Sequence, residues 1–299
     1  MTERRSSYVA FLIPGLLFYG LIVALPFFAS VGISFTDWTG LGPMEFVGLA
    51  NFRRAVSDAR FWNALINNLY FIISLSLIPA AISLVLATTL VQVVAKRISI
   101  GAANVFRAGF YLPQVISIVI SALAWRWLLH PSYGAVNVAL EAIGLEALTR
   151  NWLGHPDYAL LSIMVVMVWW NIGYSLVIFM AALQRINPEL FETAKMDGAG
   201  FGTVLRKIIV PQILAELNVV ILTTTIHALK VFGPVYAMTQ GGPGNATDVA
   251  TYFVYKNFFE QTRVGYGSAV ATLLTLVVMA IATVYVTIEI RKEREVAGD

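Results

Sequence analysis

The sequence predicts an all-α, polytopic membrane protein with six transmembrane helices, and three observations carry that prediction. Hydrophobic residues make up 58% of its 299 residues against 12% charged, and the mean hydropathy is +0.75. A chain this apolar cannot hide its surface in one water-soluble core and needs lipid as solvent. The charges are confined between long intervals free of Asp, Glu, Lys and Arg. Finally, a polar-to-mixed stretch, Glu192 to Pro211 (ETAKMDGAGFGTVLRKIIVP), lies between apolar runs and carries both signs of charge, as a docking surface would.

The intervals locate the spans, because a charge near the bilayer centre costs roughly 2.5 to 3.5 kcal/mol on insertion scales. Residues 6–36, 61–95, 108–125, 158–184 and 264–288 carry none. A sixth, Ile208 to Leu229, is interrupted by Glu216 and ends near His227 and Lys230. The spans are placed at 8–35, 64–94, 106–128, 158–183, 208–230 and 265–289, in one permeating domain over 1–299. Arg4 and Arg5 resemble the basic start of a secretory signal, but the apolar run continues past Pro14 to Pro26, beyond the roughly 7 to 15 residues of a signal, so a retained span is expected. Pro14, Pro26, Pro79 and Pro113 should kink or start helices, which neighbouring helices tolerate in lipid.

The connecting loops differ in character. Residues 37–60 surround FVGLANF, and 130–157 contain a short helical pattern from Val136 to Leu148. Residues 238–263 contain TQGGPGNATD, where Gly241, Gly242, Pro243 and Gly244 stop a helix and set a tight turn. Asn245 heads an N-x-T triplet that reads as part of this turn. With the amino terminus in the cytoplasm, Arg4, Arg5, Lys96, Arg97, Arg107, Arg185, Lys195, Arg206, Lys207, Arg291, Lys292 and Arg294 fall inside, the larger part of the 20 Lys and Arg. The positive-inside rule therefore puts both termini, and Glu192 to Pro211, in the cytoplasm.

Several function classes are disfavoured. The net charge of +3 is spread over loops, so no nucleic-acid partner is expected. The absence of cysteine excludes disulfides and thiolate nucleophiles. His130, His155 and His227 show no metal-ligand spacing, and no cofactor is expected. Glu216, His227 and Asp248 form no motif of a membrane enzyme, whereas an ion-driven secondary transporter would share the composition.

Glu192 to Lys195 suit a short helix; Gly198, Gly200 and Gly202 allow a turn; Val204 to Val210 can resume helix. The resulting helix-turn-helix over 187–207 resembles the EAA loop of ABC-transporter permeases: E-A-A, three residues, G, nine residues, I-x-L-P. Glu192, Ala194, Gly198, Ile208 and Pro211 fall at those spacings, with Asp197 and Ala199 flanking the glycine. Thr193 stands for the middle alanine and Val210 for the leucine. SFTDW (34–38), FVGLANF (46–52), FRAGFYLPQVIS (106–117), WRWLLHPSYGAVN (125–137) and TQGGPGN (239–245) resemble landmarks of the carbohydrate-importing, maltose-type branch, in order.

The resemblance implies a type I ABC importer permease fold in a bacterial or archaeal inner membrane. It implies a heterodimer with a second related permease, two ATP-binding subunits and an external solute-binding protein. The chain would be a transport subunit and not an enzyme: no G-x-x-x-x-G-K-[ST] phosphate loop occurs, and ATP would be hydrolysed by the partner. Glu192, Thr193, Ala194, Asp197, Gly198, Ala199, Ile208 and Pro211 would couple to it, Glu192 by pairing with a basic group and Gly198 as hinge. Sugars are bound through hydroxyls, which selects Asn171, Tyr174, Ser175, Thr224, Thr225, His227 and Lys230 for the solute path. The same groups can instead bond neighbouring helices, and Lys230 can snorkel outward. Trp169 and Trp170 read as packing or interface residues. An oligosaccharide, monosaccharide, polyol or glycerol-3-phosphate is compatible with this branch.

Overall fold

The computed structural model describes residues 3–91 and 100–297. Residues 92–94 of the expected second span, with Lys96 and Arg97, lie outside the described residues, as do the side chains of Arg4, Arg5, Arg107, Arg291, Lys292 and Arg294. Helix α1 (Glu3–Tyr19) continues through a π turn (Gly20–Ala24) into α2 (Leu25–Ile33), and α3 (Ala50–Ser57) precedes the long α4 (Ala59–Thr89). Then come α5 (Ile100–Val115), α6 (Ile118–Leu128), α7 (Ala135–Ala142) and α8 (Pro156–Leu183). The polar stretch forms α9 (Pro188–Met196), α10 (Phe201–Val204), a π turn (Leu205–Ile209) and α11 (Val210–Gln212). The chain closes with α12 (Leu214–Leu229), α13 (Gly233–Met238), α14 (Ala250–Tyr255) and α15 (Val264–Ala297).

Four helices, Phe11–Ile33, Ala59–Thr89, Pro156–Leu183 and Val264–Thr287, are long and apolar enough to cross a membrane, and two bent pairs raise the number to 6 if each is one span. Each pair bends inside one of the expected spans, 106–128 and 208–230. Helices α5 and α6 meet at 101°, because Ser117 is extended (φ −51°, ψ 132°) and Pro113 has no N–H to give Gly109. The second pair starts earlier than expected, at Phe201, and bends by 79° at Ile213 (φ −112°, ψ 20°), two residues after Pro211. Pro14 and Pro79 sit inside continuous helices, while Pro26 lies in the first turn of α2.

The described residues fall into two compact units. The first comprises residues 1–62 and 253–280. No residue from Phe11 to Ile33 is fully buried and most are exposed, Phe11 at 83%, so that apolar surface requires lipid or another protein. Its 34–58 loop is held by specific bonds. Asn51 donates to the Ser34 and Thr36 carbonyls (3.0 and 2.7 Å), the Gly265 amide to Trp38 O (2.9 Å), and the Tyr266 hydroxyl to Asp58 (3.0 Å) beneath the Arg54 guanidinium.

The second unit comprises 63–252 and 281–299, with α8 at its centre, packed against α5, α6, α12 and α13. Its main apolar core joins Ala80, Leu84 and Ala87 of α4 to Phe179 and Leu183 of α8, and extends into the 187–213 segment through Ala194, Val204 and Ile209. Helices α5 and α8 approach closely at Gly173, where a Cβ would stand 2.8 Å from Phe110 O and 3.0 Å from Tyr111 Cα, both backbone atoms. Gly173→Val should therefore cost about 1–3 kcal/mol by overpacking. Thermal unfolding of the purified protein should show a lower Tm for it and none for Gly15→Ala, where an added Cβ meets nothing within 4 Å.

Candidate functional site

The 187–213 segment is shaped by helix-end chemistry. Asn187 caps α9, its side chain accepting from Glu189 N at 3.0 Å, and Pro188 supplies the first-turn residue that has no N–H to satisfy. At the other end Gly198 N–H donates to Lys195 O (3.1 Å) and Ala199 N–H to Ala194 O (2.9 Å), the two bonds of a Schellman cap. That cap needs a left-handed residue, and Gly198 has φ +71°. Its apolar partner contact is also present, because Ala194 and Ala199 belong to one cluster. Gly200 is extended and starts α10, whereas Gly202 lies inside the helix and does not turn.

The segment has two faces. Ala194, Val204, Ile209 and Ile213 are buried, with Phe191, Ala199, Ile208 and Val210 packed beside them. Glu192, Thr193, Lys195, Asp197, Gly198 and Pro211 are exposed. Met196, which the sequence reading passed over, is 89% exposed at the tip, flanked by exposed Leu190 and Phe201. A cavity of about 560 Å³ opens beside this face, lined by Phe191, Glu192, Lys195, Ala199 and Phe201 with Val91, Leu183 and Gln184. Arg185, just past α8, pairs with Glu216 in the first turn of α12, so the segment is tied at its base by an ion pair. Glu216 thus sits at a helix start beside its partner instead of interrupting an apolar span.

The seven solute-path candidates separate into two groups. Asn171, Ser175 and Thr224 are buried within the bundle, and Asn171 donates to Leu75 O of α4 (3.3 Å) while Thr224 donates to Val220 O of its own helix (2.7 Å). Thr225 is half-buried and bonds Ser76 of α4 at 2.9 Å. An adjoining stripe of α12 carries Thr223, His227 and Lys230, spaced about one turn apart; His227 and Lys230 are exposed, and Thr223 bonds the Tyr174 hydroxyl at 3.0 Å. Nearby, α5 and α8 line a mostly apolar cavity of about 380 Å³ that includes Phe110, Trp169 and Ile172.

Sequence reasoning missed the asparagines of α4. Asn67 donates to Ala246 O (3.0 Å) and Asp248 O (2.8 Å), and Asn63, one turn away, to Asn245 O (3.2 Å). Buried Asn68 donates to Ala228 O (2.9 Å) at the end of α12 and accepts from Ala250 N (2.8 Å) at the start of α14. These side chains fix the TQGGPGNATD turn and the α12 terminus from which Lys230 projects. The Asn-x-x-x-Asn-Asn spacing was visible, but nothing local says which carbonyls it serves. Trp170 is a packing residue with a defined bond: its indole N–H donates to Ile116 O (3.0 Å) at the α5–α6 break.

Compared with known proteins, residues 98–294 match the family described as binding-protein-dependent transport system inner membrane component. The chain is 36% identical over 283 residues to the probable ABC transporter permease protein YurN of Bacillus subtilis, covering 94% of this chain and 95% of that protein. It is 29% identical over 287 residues to the trehalose/maltose transport system permease protein MalF of Thermococcus litoralis, covering 96% and 94%. In fold it is similar, at TM-score 0.81 and 24% identity over 97% of this chain and 96% of the other, to a chain of a bacterial ABC transporter involved in import of the acidic polysaccharide alginate.

The open space around Gly198, where a Cβ would meet nothing within 4 Å, makes the cost of a side chain there purely conformational. Gly198→Val should lose about 1–2 kcal/mol, the penalty of the left-handed region, while Gly198→Asn should lose less. Limited proteolysis should then cut Gly198→Val faster than wild type between 196 and 204.

Proposed function

This chain belongs to the binding-protein-dependent transport system inner membrane components, and from that premise we propose that it is the membrane-spanning permease subunit of an ATP-driven importer that passes a carbohydrate from an external binding protein into the cell. The carbohydrate reading is supported by relatives described as carriers of trehalose and maltose, of starch degradation products and of multiple sugars. A second related permease completes the pore, two ATP-binding subunits drive it, and both termini lie in the cytoplasm.

The observation that carries the mechanism is the two-faced 187–213 segment. Its apolar side is part of the bundle core through Ala194, Val204 and Ile209, while Glu192, Lys195, Met196 and Asp197 stand free. Force applied to the free side by an ATPase subunit closing on nucleotide passes through packed side chains into α4, α8 and α12. Glu192 pairs with a basic group of that subunit, and Met196, unbranched and polarizable, fills an apolar cleft on it. The moving helices then open the path alternately to either side. His227, Lys230 and Tyr174 contact the solute, while Asn171 and Thr225, each bonded to α4, hold the helices that present them.

Met196→Asp should weaken association with the ATPase subunit about tenfold, the scale of one interface hot spot, and Glu192→Ala should depress solute-stimulated ATP hydrolysis with the subunits still bound. Copurification and uptake in vesicles containing the whole transporter measure both. Wild-type uptake in the double variant would sink the coupling assignment.

A further inference from the structure

The end of α8 opposite the 187–213 segment carries a cavity that the transport reading leaves unused. It measures about 350 Å³ and is lined by Trp125, Leu129, Trp152, Tyr158, Leu161 and Val165. Its mouth lies on the side of α8 that bears Leu161 and Val165, one turn apart and 54% and 56% exposed. Its lining also includes Ser162, whose hydroxyl is already committed to Trp152 O at 3.1 Å. A sugar would find almost no hydrogen-bonding group here, whereas a hydrocarbon chain would be well matched.

The level and the rim of the cavity identify the rest of the ligand. Trp125, Trp127, Tyr133, Trp152 and Tyr158 gather at this end of the helices, with ring contacts between Trp127 and Tyr133 (6.3 Å) and between Trp152 and Tyr158 (6.4 Å). Tryptophan and tyrosine concentrate at the headgroup level of a bilayer. Two opposite charges flank Tyr158. The Arg150 guanidinium lies 6.0 Å from its ring, with one terminal nitrogen bonded to Ala147 O and Thr149 O (2.6 and 2.7 Å), and its remaining N–H groups are further donors. Asp157, 79% exposed beside His155, presents a carboxylate in the first turn of α8.

We propose that this cavity binds one acyl chain of a phosphatidylethanolamine, with its phosphate on Arg150 and its ammonium group on Asp157. An apolar slot open to the bilayer takes the chain, and a cation and an anion at the rim match a zwitterionic headgroup. A bound lipid here would brace the 130–157 segment, organised by buried Asn137 through bonds to Pro131 O, Arg150 O and Trp152, against α8. The inference rests on the membrane placement of α8 and not on the solute or the ATPase.

The test is native mass spectrometry of the assembled transporter exchanged into an equimolar mixture of phosphatidylethanolamine and phosphatidylglycerol. One phosphatidylethanolamine per copy of this chain should be retained. Val165→Trp, which fills the mouth, should abolish retention, and Leu161→Trp repeats the test should that variant fail to assemble. Arg150→Ala should lower retention about fivefold, and Asp157→Asn should erase the preference over phosphatidylglycerol by a similar factor, each the worth of one partly exposed charge contact. Absence of bound phospholipid, equal retention of both lipids by wild type, or undiminished retention in Val165→Trp would each overturn the proposal. So would efficient crosslinking of Val165→Cys to the second permease, which would make the occupant a protein. Uptake is read separately, so a failure here leaves the transport reading standing.

Discussion

A carbonyl released where a membrane helix stops short has no water to turn to, and the cost of several kcal/mol per unsatisfied group governs where this chain can break its helices. Two of these interruptions meet donors from elsewhere in the sequence. At the α5–α6 bend Trp170 of α8 donates to Ile116 O. At the end of α12 Asn68 of α4 donates to the Ala228 and Leu229 carbonyls, and Thr251 to that of Val231. The breaks are therefore fixed points of the bundle. Because α4 and α8 supply two of these three donors, they serve as the frame on which bent helices are mounted, which accords with their length and with Ser83 of α4 bonding Ile172 O of α8 at 2.8 Å.

The same frame bears on the coupling proposed for the short polar segment. A lever must be stiff where it is attached and free where it is pushed. Attachment comes from apolar burial of Ala194, Val204 and Ile209, and from the Arg185–Glu216 pair that ties the two strands of chain leading into and out of the segment. Half of the EAA spacing follows from helix-end geometry alone. Alanine at 194 and 199 provides the small apolar contact across a Schellman cap, and glycine at 198 supplies its left-handed residue. Glu192 is exposed on the outer side of this helix and plays no part in that cap, which is consistent with the subunit contact proposed for it.

How much of this was legible in the sequence depended on the range of the interaction. Charge-free intervals revealed the apolar helices because the bilayer excludes charge residue by residue, and the 187–207 element followed from local propensity and glycine positions. The bends were hidden, because Pro113 and Pro79 look alike in sequence, yet α4 runs straight through Pro79 while α5 ends two residues after Pro113, where Trp170 can serve the freed carbonyl. The asparagine clamp joins residues some 180 positions apart, which no periodicity reports. Glu216 read as an interruption only because its partner, Arg185, lies across the intervening segment.

The solute-path candidates show the same limit in sharper form, since composition selects hydroxyls and amides but not the direction in which they point. On α12 a rotation of 100° per residue decides the matter. Thr224 faces the core, whereas Thr223, His227 and Lys230 share an adjoining stripe on which Thr223 bonds Tyr174. An exposed lysine and histidine on a helix otherwise surrounded by apolar surface are costly against hydrocarbon, by roughly 2.5 to 3.5 kcal/mol for the charged group. Such a stripe is stable only where it meets water or another polar surface. In the proposed assembly the second permease covers this face and encloses a wet path along it, so that the residues least tolerable to lipid are the ones the solute meets.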